Sequence, residues 1–151
     1  MLLTQNSLTN DNFYRIVFDA IPSPAYVVKK DVHVVDCNTA ASKMLSKDPE
    51  LIIRTRLGEV IQCLHSTEGC GNDPFCEKCI IRHSVNQSLS GQKVIRQKAK
   101  LEYIMPEGRI AAFFFVTTVP IDFNKEKFVL LILEDISELV DSRKALPICA
   151  R

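Results

Sequence analysis

A continuous apolar run near the C-terminal end, FVLLIL at residues 128–133, constrains the fold more than any other feature of the sequence. The run is far shorter than the stretch of about 20 apolar residues that crosses a bilayer as a helix. A short run that is apolar on both faces is typical of a strand in the middle of a sheet, covered on both sides. We therefore expect the core to form around this strand.

Strand patterns fall into two groups that are separated by helical patterns. Pro24–Lys29 and Val32–Cys37 are predicted to form a hairpin with a turn at Lys30 and Asp31. The second group consists of Lys93–Met105, Ile110–Ile121 and Phe128–Leu133, with a polar turn over 122–127. Strands in two groups around helices favour an α+β fold, with a five-stranded antiparallel sheet and its helices on one face. The sequence lacks βαβ alternation and a G-x-G-x-x-G motif, which disfavours a doubly wound nucleotide-binding fold.

Short helices are predicted on both sides of the first hairpin. Residues 8–21 carry an apolar stripe that ends before Pro22, so that a helix flanks the sheet at its N-terminal side. Asn38 is the predicted N-cap of a short helix over 39–45. Residues 50–61 are expected to make one or two short helical turns.

The longest helix is predicted over residues 74–90. Asp73 is a suitable N-cap, Pro74 suits the first helical position, and Gly91 suits the position just past the end. This helix would carry two stripes on nearly opposite sides. The apolar stripe consists of Ile81, Val85 and Leu89, and the other consists of Cys76, Cys79 and His83. One side is therefore expected to pack on the core, while the other faces the preceding loop.

Four of the six cysteines lie close together in the pattern C-x6-C-x5-C-x2-C, here called the cysteine run: Cys63, Cys70, Cys76 and Cys79. In a reducing cytosol such a group is more often a metal site or a redox switch than a disulfide framework. Four thiolates can hold a zinc ion or an iron–sulfur cluster. Zinc ribbons usually carry two Cys-x-x-Cys pairs and this chain has one, which favours iron–sulfur, although a structural zinc ion, a reversible disulfide and inert thiols stay open.

Two histidines are alternative ligands for the same ion. His65 follows Cys63 by two residues, and His83 shares a predicted helix face with Cys79. Either imidazole could replace one thiolate at zinc, and exposure on the surface is the competing interpretation for both. Haem ligation by His83 is disfavoured because that face points away from the apolar stripe. A thiol–disulfide oxidoreductase is also disfavoured, since its Cys-x-x-Cys usually follows a strand in a βαβ unit.

The remaining conspicuous residues are interpreted as structural. Phe113, Phe114 and Phe115 are predicted to lie in the core of the sheet, and Cys37 is predicted to be a small buried apolar residue. A solvated strand face is predicted for Lys93, Arg96, Lys98 and Lys100. The residue types and spacings do not suggest a catalytic set of nucleophile, base and orienting group, so the sequence does not support an enzymatic function.

The overall charge argues against nucleic acid and membrane partners. Nineteen Lys and Arg residues against eighteen Asp and Glu residues leave a formal charge of +1 in 151 residues. This balance provides no field that would steer the chain onto nucleic acid or anionic lipid. The first residues lack the charged and apolar regions of a signal peptide, so we expect a single cytoplasmic domain.

Several segments together resemble a PAS domain, the sensor and dimerisation module of many bacterial signalling proteins. They are FYRIVFDAIPSPAYVV (13–28), VHVVDCNTAASKML (32–45) and LLILEDISEL (130–139). The segment GEVIQCLHSTEGCGNDPFCEKCIIR (58–82) is similar to a cysteine-bearing subgroup of bacterial sensors. The resemblance covers residues 10–140 and implies a homodimer, a downstream signalling protein or effector domain, and a cavity that could hold a small ligand. The Asn-Cys-Arg-Phe motif of flavin-binding members is absent.

The end of the chain is predicted to pass the signal onward. Asp135 as N-cap and Glu138 at the third helical position predict an exit helix over 136–146. The implied organisation is a tail over 1–9, a PAS-like domain over 10–140, and an exit helix with a tail over 141–151. We thus expect a sensory module whose cysteine run holds an iron–sulfur cluster or zinc, or a module for dimerisation or small-ligand binding whose cysteines are structural zinc ligands or reversible disulfides.

Overall fold

The computed structural model describes residues 12–60, 79–105 and 108–139, with the side chains of residues 103–105 left out. The helices are α1 (residues 12–20), α2 (Thr39–Leu45), α3 (Pro49–Ile52), α4 (Leu57–Val60) and α5 (Ile80–Leu89). The strands are β1 (Ala25–Lys29), β2 (His33–Cys37), β3 (Val94–Met105), β4 (Gly108–Phe123) and β5 (Glu126–Asp135). A 3-10 turn, Lys30–Val32, joins β1 to β2, and residues 137–139 are helical. No helix in these ranges is long and apolar enough to cross a membrane.

The five strands form one sheet in the order β2-β1-β5-β4-β3. Every neighbouring pair is antiparallel. The predicted central strand is confirmed, because β5 lies in the middle, with Leu131 opposite Tyr26 of β1 and Leu133 opposite Val116 of β4. The first and last thirds of the chain are therefore joined along the centre of the sheet.

Only one face of β5 is fully covered within the described residues. Val129, Leu131 and Leu133 are buried, whereas the alternate residues Leu130 and Ile132 are only half-buried. The helices of the described residues thus cover one face of β5, and full cover of the other face stays a prediction. The physical reason is that the core is assembled on one face, where α2 to α5 contribute Ala41, Ile52, Leu57, Val60, Ile81 and Val85.

The three consecutive phenylalanines do not share one environment. Phe114 is 2% exposed and belongs to the core, as predicted. Phe113 and Phe115 point to the other face of the sheet, because successive residues of a strand alternate. Lys98 Nζ lies 5.8 Å from the Phe113 ring centre, and the Arg96 guanidinium lies 4.4 Å from that of Phe115. The exposed basic residues of β3 thus cover the two outer rings.

A tight turn sets the register of the two long C-terminal strands. The predicted polar turn is confirmed and is narrower than expected, since Phe123 already pairs with Glu126. The two residues between them, Asn124 and Lys125, have φ of 51° and 65°. Positive φ at both positions is the geometry of a type I′ hairpin turn, whose twist matches that of the flanking strands.

Asn38 joins three segments of the chain through its side chain. It is buried, and its Oδ1 accepts hydrogen bonds from the backbone N–H groups of Ala25 at 3.0 Å and Ala41 at 2.9 Å. Its Nδ2 donates to the carbonyl oxygens of Ile21 at 3.2 Å and Ser23 at 3.1 Å. The predicted N-cap of α2 is confirmed, and the same amide also fixes the entry into β1.

Candidate functional site

The helix that follows the cysteine run begins later than the sequence predicted. Cys79 is the N-cap of α5, with φ −69° and ψ 119°, and the first helical residue is Ile80. The prediction that placed Cys79 inside a helix over 74–90 is wrong at this residue, because its backbone is extended. The half-buried Cys79 packs against the core, and its carbonyl oxygen accepts a hydrogen bond from the His83 N–H at 2.9 Å.

The other predicted ligands lie outside the described residues. They are Cys63, Cys70, Cys76 and His65. His83 is exposed on α5. Among the described residues, no group of three or more His, Cys, Asp or Glu side chains could hold a metal ion. The four-cysteine site therefore stays a prediction that rests on the sequence.

Cys37 differs from the cysteine run in its surroundings. It is buried at the end of β2 and belongs to the core. Desolvation by burial and the nearby charge of Asp36 raise the pKa of its thiol to about 11. The prediction that Cys37 is a small buried apolar residue is confirmed, and its thiol is protonated at neutral pH.

A charge cluster joins the β1–β2 turn to the first turn of α5. One oxygen of the Asp31 carboxylate lies 2.9 Å from Nε of Arg56. The other oxygen accepts a hydrogen bond from Nη1 of Arg82. Desolvation alone would raise the pKa of Asp31, but the hydrogen bond from Arg82 and the charges of Arg82 and Arg56 outweigh it and lower that pKa. The carboxylate is therefore a charged link between three separate segments.

The backbone at this turn is unusual for its residue types. Asp31 has φ 65° and Val32 has φ 57°. A β-branched residue rarely adopts positive φ, and Val32 does so while its side chain is buried in the core. The sequence predicted Asp31 only as a turn residue, since its arginine partners are 25 and 51 positions further along the chain. An aspartate in a short hairpin turn is too common a feature to indicate such a contact.

A second contact, the hydroxyl cluster of Ser84, Ser88 and Thr118, ties the rest of α5 to β4. All three residues are buried. The Thr118 hydroxyl donates to the Ser84 carbonyl oxygen at 3.0 Å and accepts from the Ser88 hydroxyl at 2.7 Å. Neutral hydrogen bonds in a buried environment fix the position of a helix with little dependence on salt or pH.

The end of β5 is fastened to β4 by the Asp-Ile-Ser segment that the sequence singled out. The backbone N–H of Ile136 donates to the Phe113 carbonyl oxygen at 2.8 Å, and the Phe113 N–H donates to Ser137 Oγ at 3.0 Å. Asp135 Oδ1 accepts from the Ser137 N–H at 2.9 Å, but Asp135 is the last residue of β5 and the helical residues begin at Ser137, one residue later than predicted. Residues 140–146 of the predicted exit helix lie outside the described residues. The start of the exit segment is thus held by the strand next to it.

Helix α1 is attached to β2 through a carboxylate. Asp36 Oδ2 accepts hydrogen bonds from the Tyr14 hydroxyl and from Arg15 Nη2, each at 2.6 Å. Arg15 also lies 3.4 Å from Asp19, whose Oδ1 accepts from the Thr39 N–H at 3.1 Å. The predicted flanking helix is therefore anchored to the sheet edge and to the start of α2.

Comparison with known families gives one match. A family model described as a PAS domain matches residues 12–80. This range includes α1, the β1–β2 hairpin and the Asn38 cap, which are segments on which the resemblance rested. A comparison with curated proteins found no match.

The fold is similar to that of several solved PAS domains. A PAS domain of an HTR-like protein from Haloarcula marismortui is 17% identical, with a TM-score of 0.58 over 88% of this chain and 97% of that one. The PAS domain of nitrogen regulation protein NR(II) from Vibrio parahaemolyticus is 16% identical, with a TM-score of 0.57 over 82% and 97%. The PAS domain of BvgS from Bordetella pertussis is 15% identical, with a TM-score of 0.56 over 93% and 98%. Residues 12–80 therefore match the PAS family model, and the described part of the chain has the fold of these PAS domains.

Proposed function

We propose that this PAS domain is a cytoplasmic sensory module in which α5 carries the state of the cysteine run to the sheet and to the exit segment. The observation that supports this most directly is the position of Cys79. The last cysteine of the run is the N-cap of α5, so any displacement of this residue moves the first turn of the helix. The helix then contacts β3, β4 and β5.

The path from α5 to the exit segment is short. The hydroxyl cluster fastens α5 to Thr118 of β4, and the same strand binds Ile136 and Ser137 through Phe113. A shift of α5 against β4 would therefore act on the strand that holds the start of the exit segment. The proposed receiver is a downstream signalling protein or an effector domain.

The proposed contents of the cysteine run are an iron–sulfur cluster or a zinc ion. Four thiolates are a donor set that both accept, and a redox-responsive or metal-responsive element would result. The test is to purify the full chain without oxygen and to measure iron, acid-labile sulfide and zinc per chain, together with the absorption spectrum. We expect about one zinc ion or one cluster per chain.

Two cysteine variants make this experiment specific. Cys79→Ala is expected to lower the metal content strongly, whereas the matched control Cys37→Ala is expected to retain it, because Cys37 is buried in the core with a raised thiol pKa. Absence of both iron and zinc from the anaerobic protein would contradict the metal proposal. Equal metal content in the two variants would remove Cys79 from the ligand set.

As a second candidate function, we infer a dimerisation module that uses α1. Three apolar side chains of this helix lie at the surface, namely Phe13 at 62%, Ile16 at 66% and Val17 at 47% exposure. The outer face of the sheet also presents the half-buried apolar residues Val27, Leu130 and Ile132, and α1 is attached to the neighbouring strand β2 through Asp36. A second copy of the chain would cover such a surface, because exposed apolar patches mark contact sites.

Light scattering at tens of micromolar tests the dimer. We expect a mass of two chains, and Ile16→Glu is expected to reduce it to that of one chain. Ile95→Glu is the matched control, since Ile95 is 63% exposed on β3, away from α1. A monomer in the unsubstituted chain would contradict this candidate function and would leave the sensory proposal in place.

A further inference from the structure

The two edge strands of the sheet differ in what lies beside them. Strand β2 is bordered by the segment before α4, because the Val34 N–H donates to the Thr55 carbonyl oxygen at 2.8 Å and the Arg54 N–H donates to the Val34 carbonyl oxygen at 2.7 Å. Strand β3 is last in the strand order and pairs with β4. In the described ranges, no segment forms backbone hydrogen bonds with the other side of β3. Another strand could therefore be added there.

The regular part of this edge begins at Gln97. The pairing of β3 with β4 shifts register between Val94 and Gln97, and Arg96 within the shift has φ 52°. From Gln97 to Met105 the register is continuous. Because a bulge interrupts the row of backbone groups that an edge offers, an added strand is expected beyond it.

The exposed side chains of this edge are basic. Lys98 and Lys100 are exposed and lie two residues apart, opposite Phe115 and Phe113 of β4, so that both stand on the outer face of the sheet. Neither lysine forms an ion pair with another residue of the described ranges. Glu102, which is half-buried, is the one acidic residue of β3. A strand that carries carboxylates would therefore meet mainly opposite charge.

We propose that the β3 edge over residues 97–102 binds an extended segment of a partner protein that carries carboxylates at every second position. The segment would add a sixth strand through backbone hydrogen bonds, and its carboxylates would stand beside Lys98 and Lys100. Opposite charges directly across two strands stabilise their pairing. The intervening side chains would lie beside Ala99 and Leu101, which are buried on the inner face, so they are expected to be small or apolar.

The same charges disfavour the other occupants that this edge could take. Each copy of the chain contributes two lysines and one glutamate over residues 97–102, so a second copy paired edge to edge would leave positive charge in excess. The chain's own terminal segments lack the required carboxylates. Residues 1–11 hold one acidic residue, and residues 140–151 hold one acidic and three basic residues. The favoured occupant is thus an acidic segment of another protein.

The test uses the full chain and a peptide of about eight residues, the length of a strand, in which threonine and glutamate alternate and both ends are blocked. We expect saturable shifts of the amide NMR signals of residues 97–102. Since alternate N–H groups of an edge strand point away from the sheet, we also expect the peptide to slow hydrogen exchange at every second residue of this stretch. A contact through charge alone would leave that exchange unchanged.

A second peptide and two double variants make the assignment specific. A peptide of the same composition that repeats Thr-Thr-Glu-Glu cannot place all its carboxylates on one face of a strand and should bind more weakly. Lys98→Gln combined with Lys100→Gln should weaken binding of the alternating peptide about fivefold. Lys43→Gln combined with Lys127→Gln is the matched control, which removes two exposed lysines elsewhere and should leave the affinity unchanged.

Several outcomes would overturn the proposal. These are shifts that do not saturate, exchange that does not slow at alternate residues, equal binding of the two peptides, or equal weakening in the two double variants. Shifts of residues 97–102 that depend on the concentration of the chain itself, without peptide, would assign the edge to a second copy instead. Circular dichroism establishes that each variant is folded, and all four substituted lysines are exposed, so the core is left intact.

Discussion

The two ends of α5 are attached to the rest of the domain by different chemistry. The C-terminal half is fixed by the hydroxyl cluster, whose members are buried and uncharged. The first turn is fixed by the charge cluster of Asp31, Arg56 and Arg82, whose side chains are 17–38% exposed. One attachment is insensitive to salt and pH, and the other depends on both.

This difference matters because the charged end is also the end at which Cys79 lies. A helix that is held firmly at one end and electrostatically at the other can change its inclination at the second end with less loss of stability. Surface charge pairs contribute about 0.2–1 kcal/mol each, whereas an orphaned buried hydroxyl or carbonyl costs about 1–3 kcal/mol. The weaker contacts of α5, those of the charge cluster, therefore lie beside the cysteine run, which is the predicted sensing segment.

The largest effect is expected from Thr118→Val. The valine removes the donor to the buried Ser84 carbonyl oxygen and one of two acceptors near the Ser88 hydroxyl, which keeps the Gln92 carbonyl oxygen at 2.7 Å, so the free energy of unfolding should fall by about 2 kcal/mol. Urea unfolding measures this, and the loss should be equal at low and high salt. Ser88→Ala should lower the free energy of unfolding by less in the Thr118→Val background than in the unsubstituted chain. The reason is that the Ser88 hydroxyl has already lost Thr118 as a partner. The control Ser90→Ala, at the exposed end of α5, should change little, and a strongly salt-dependent loss in Thr118→Val would break the comparison.

A smaller effect is expected from Asp31→Asn. The substitution removes a negative charge that contacts both Arg56 and Arg82, and the free energy of unfolding should fall by about 1 kcal/mol at low salt. The loss should diminish as salt is added. Asp122→Asn is the control, since this aspartate is exposed in the β4–β5 hairpin. A loss that persists unchanged in high salt would show that the two ends of α5 do not differ as described.

The pH dependence follows from the lowered pKa of Asp31. A carboxyl group whose pKa is lower in the folded than in the unfolded chain adds stability above its ordinary pKa of about 4. That contribution is lost as the pH falls through the lower folded value. Unfolding measured between pH 7 and pH 3 should therefore show the unsubstituted chain and Asp31→Asn converging in acid. Parallel curves would contradict the assigned role of this carboxylate.

The smallest effect is expected from Arg96→Gln. This arginine is 59% exposed and lies 3.5 Å from Glu134 across the outer face of the sheet. An exposed pair of this kind contributes a few tenths of a kcal/mol, to which its position over the Phe115 ring adds a similar amount. Urea unfolding should thus detect a loss of well under 1 kcal/mol. If Arg96→Gln lowered the free energy of unfolding as much as Asp31→Asn does, the isolated pair of Arg96 and Glu134 would not differ in strength from the charge cluster.

Most of the fold could be predicted from local patterns. The hairpin at Lys30, the cap at Asn38, the short helical turns and the central strand are all found as expected. Each of these depends on residues close in sequence or on a strongly apolar run. The start of α5 could not be predicted, because Asp73 and Pro74 are suitable start signals and nothing local distinguishes them from Cys79.

The candidate site was predicted less well, for a physical reason. Asp31 meets Arg56 and Arg82 only because the sheet and the helices place three distant segments together. The same holds for Thr118, a threonine in an apolar strand that becomes a buried partner of two α5 residues. Such contacts have no periodicity along the chain.

The sequence by itself determined the order of strands and helices, the central place of β5 and the spacing of the cysteine run, because these depend on apolar periodicity, caps and residue identity. Only the tertiary structure decided how α5 is attached at its two ends, through the charge cluster and the hydroxyl cluster. Contacts between residues far apart in the chain form when the backbone has brought them together, and their energies depend on burial and on local charge.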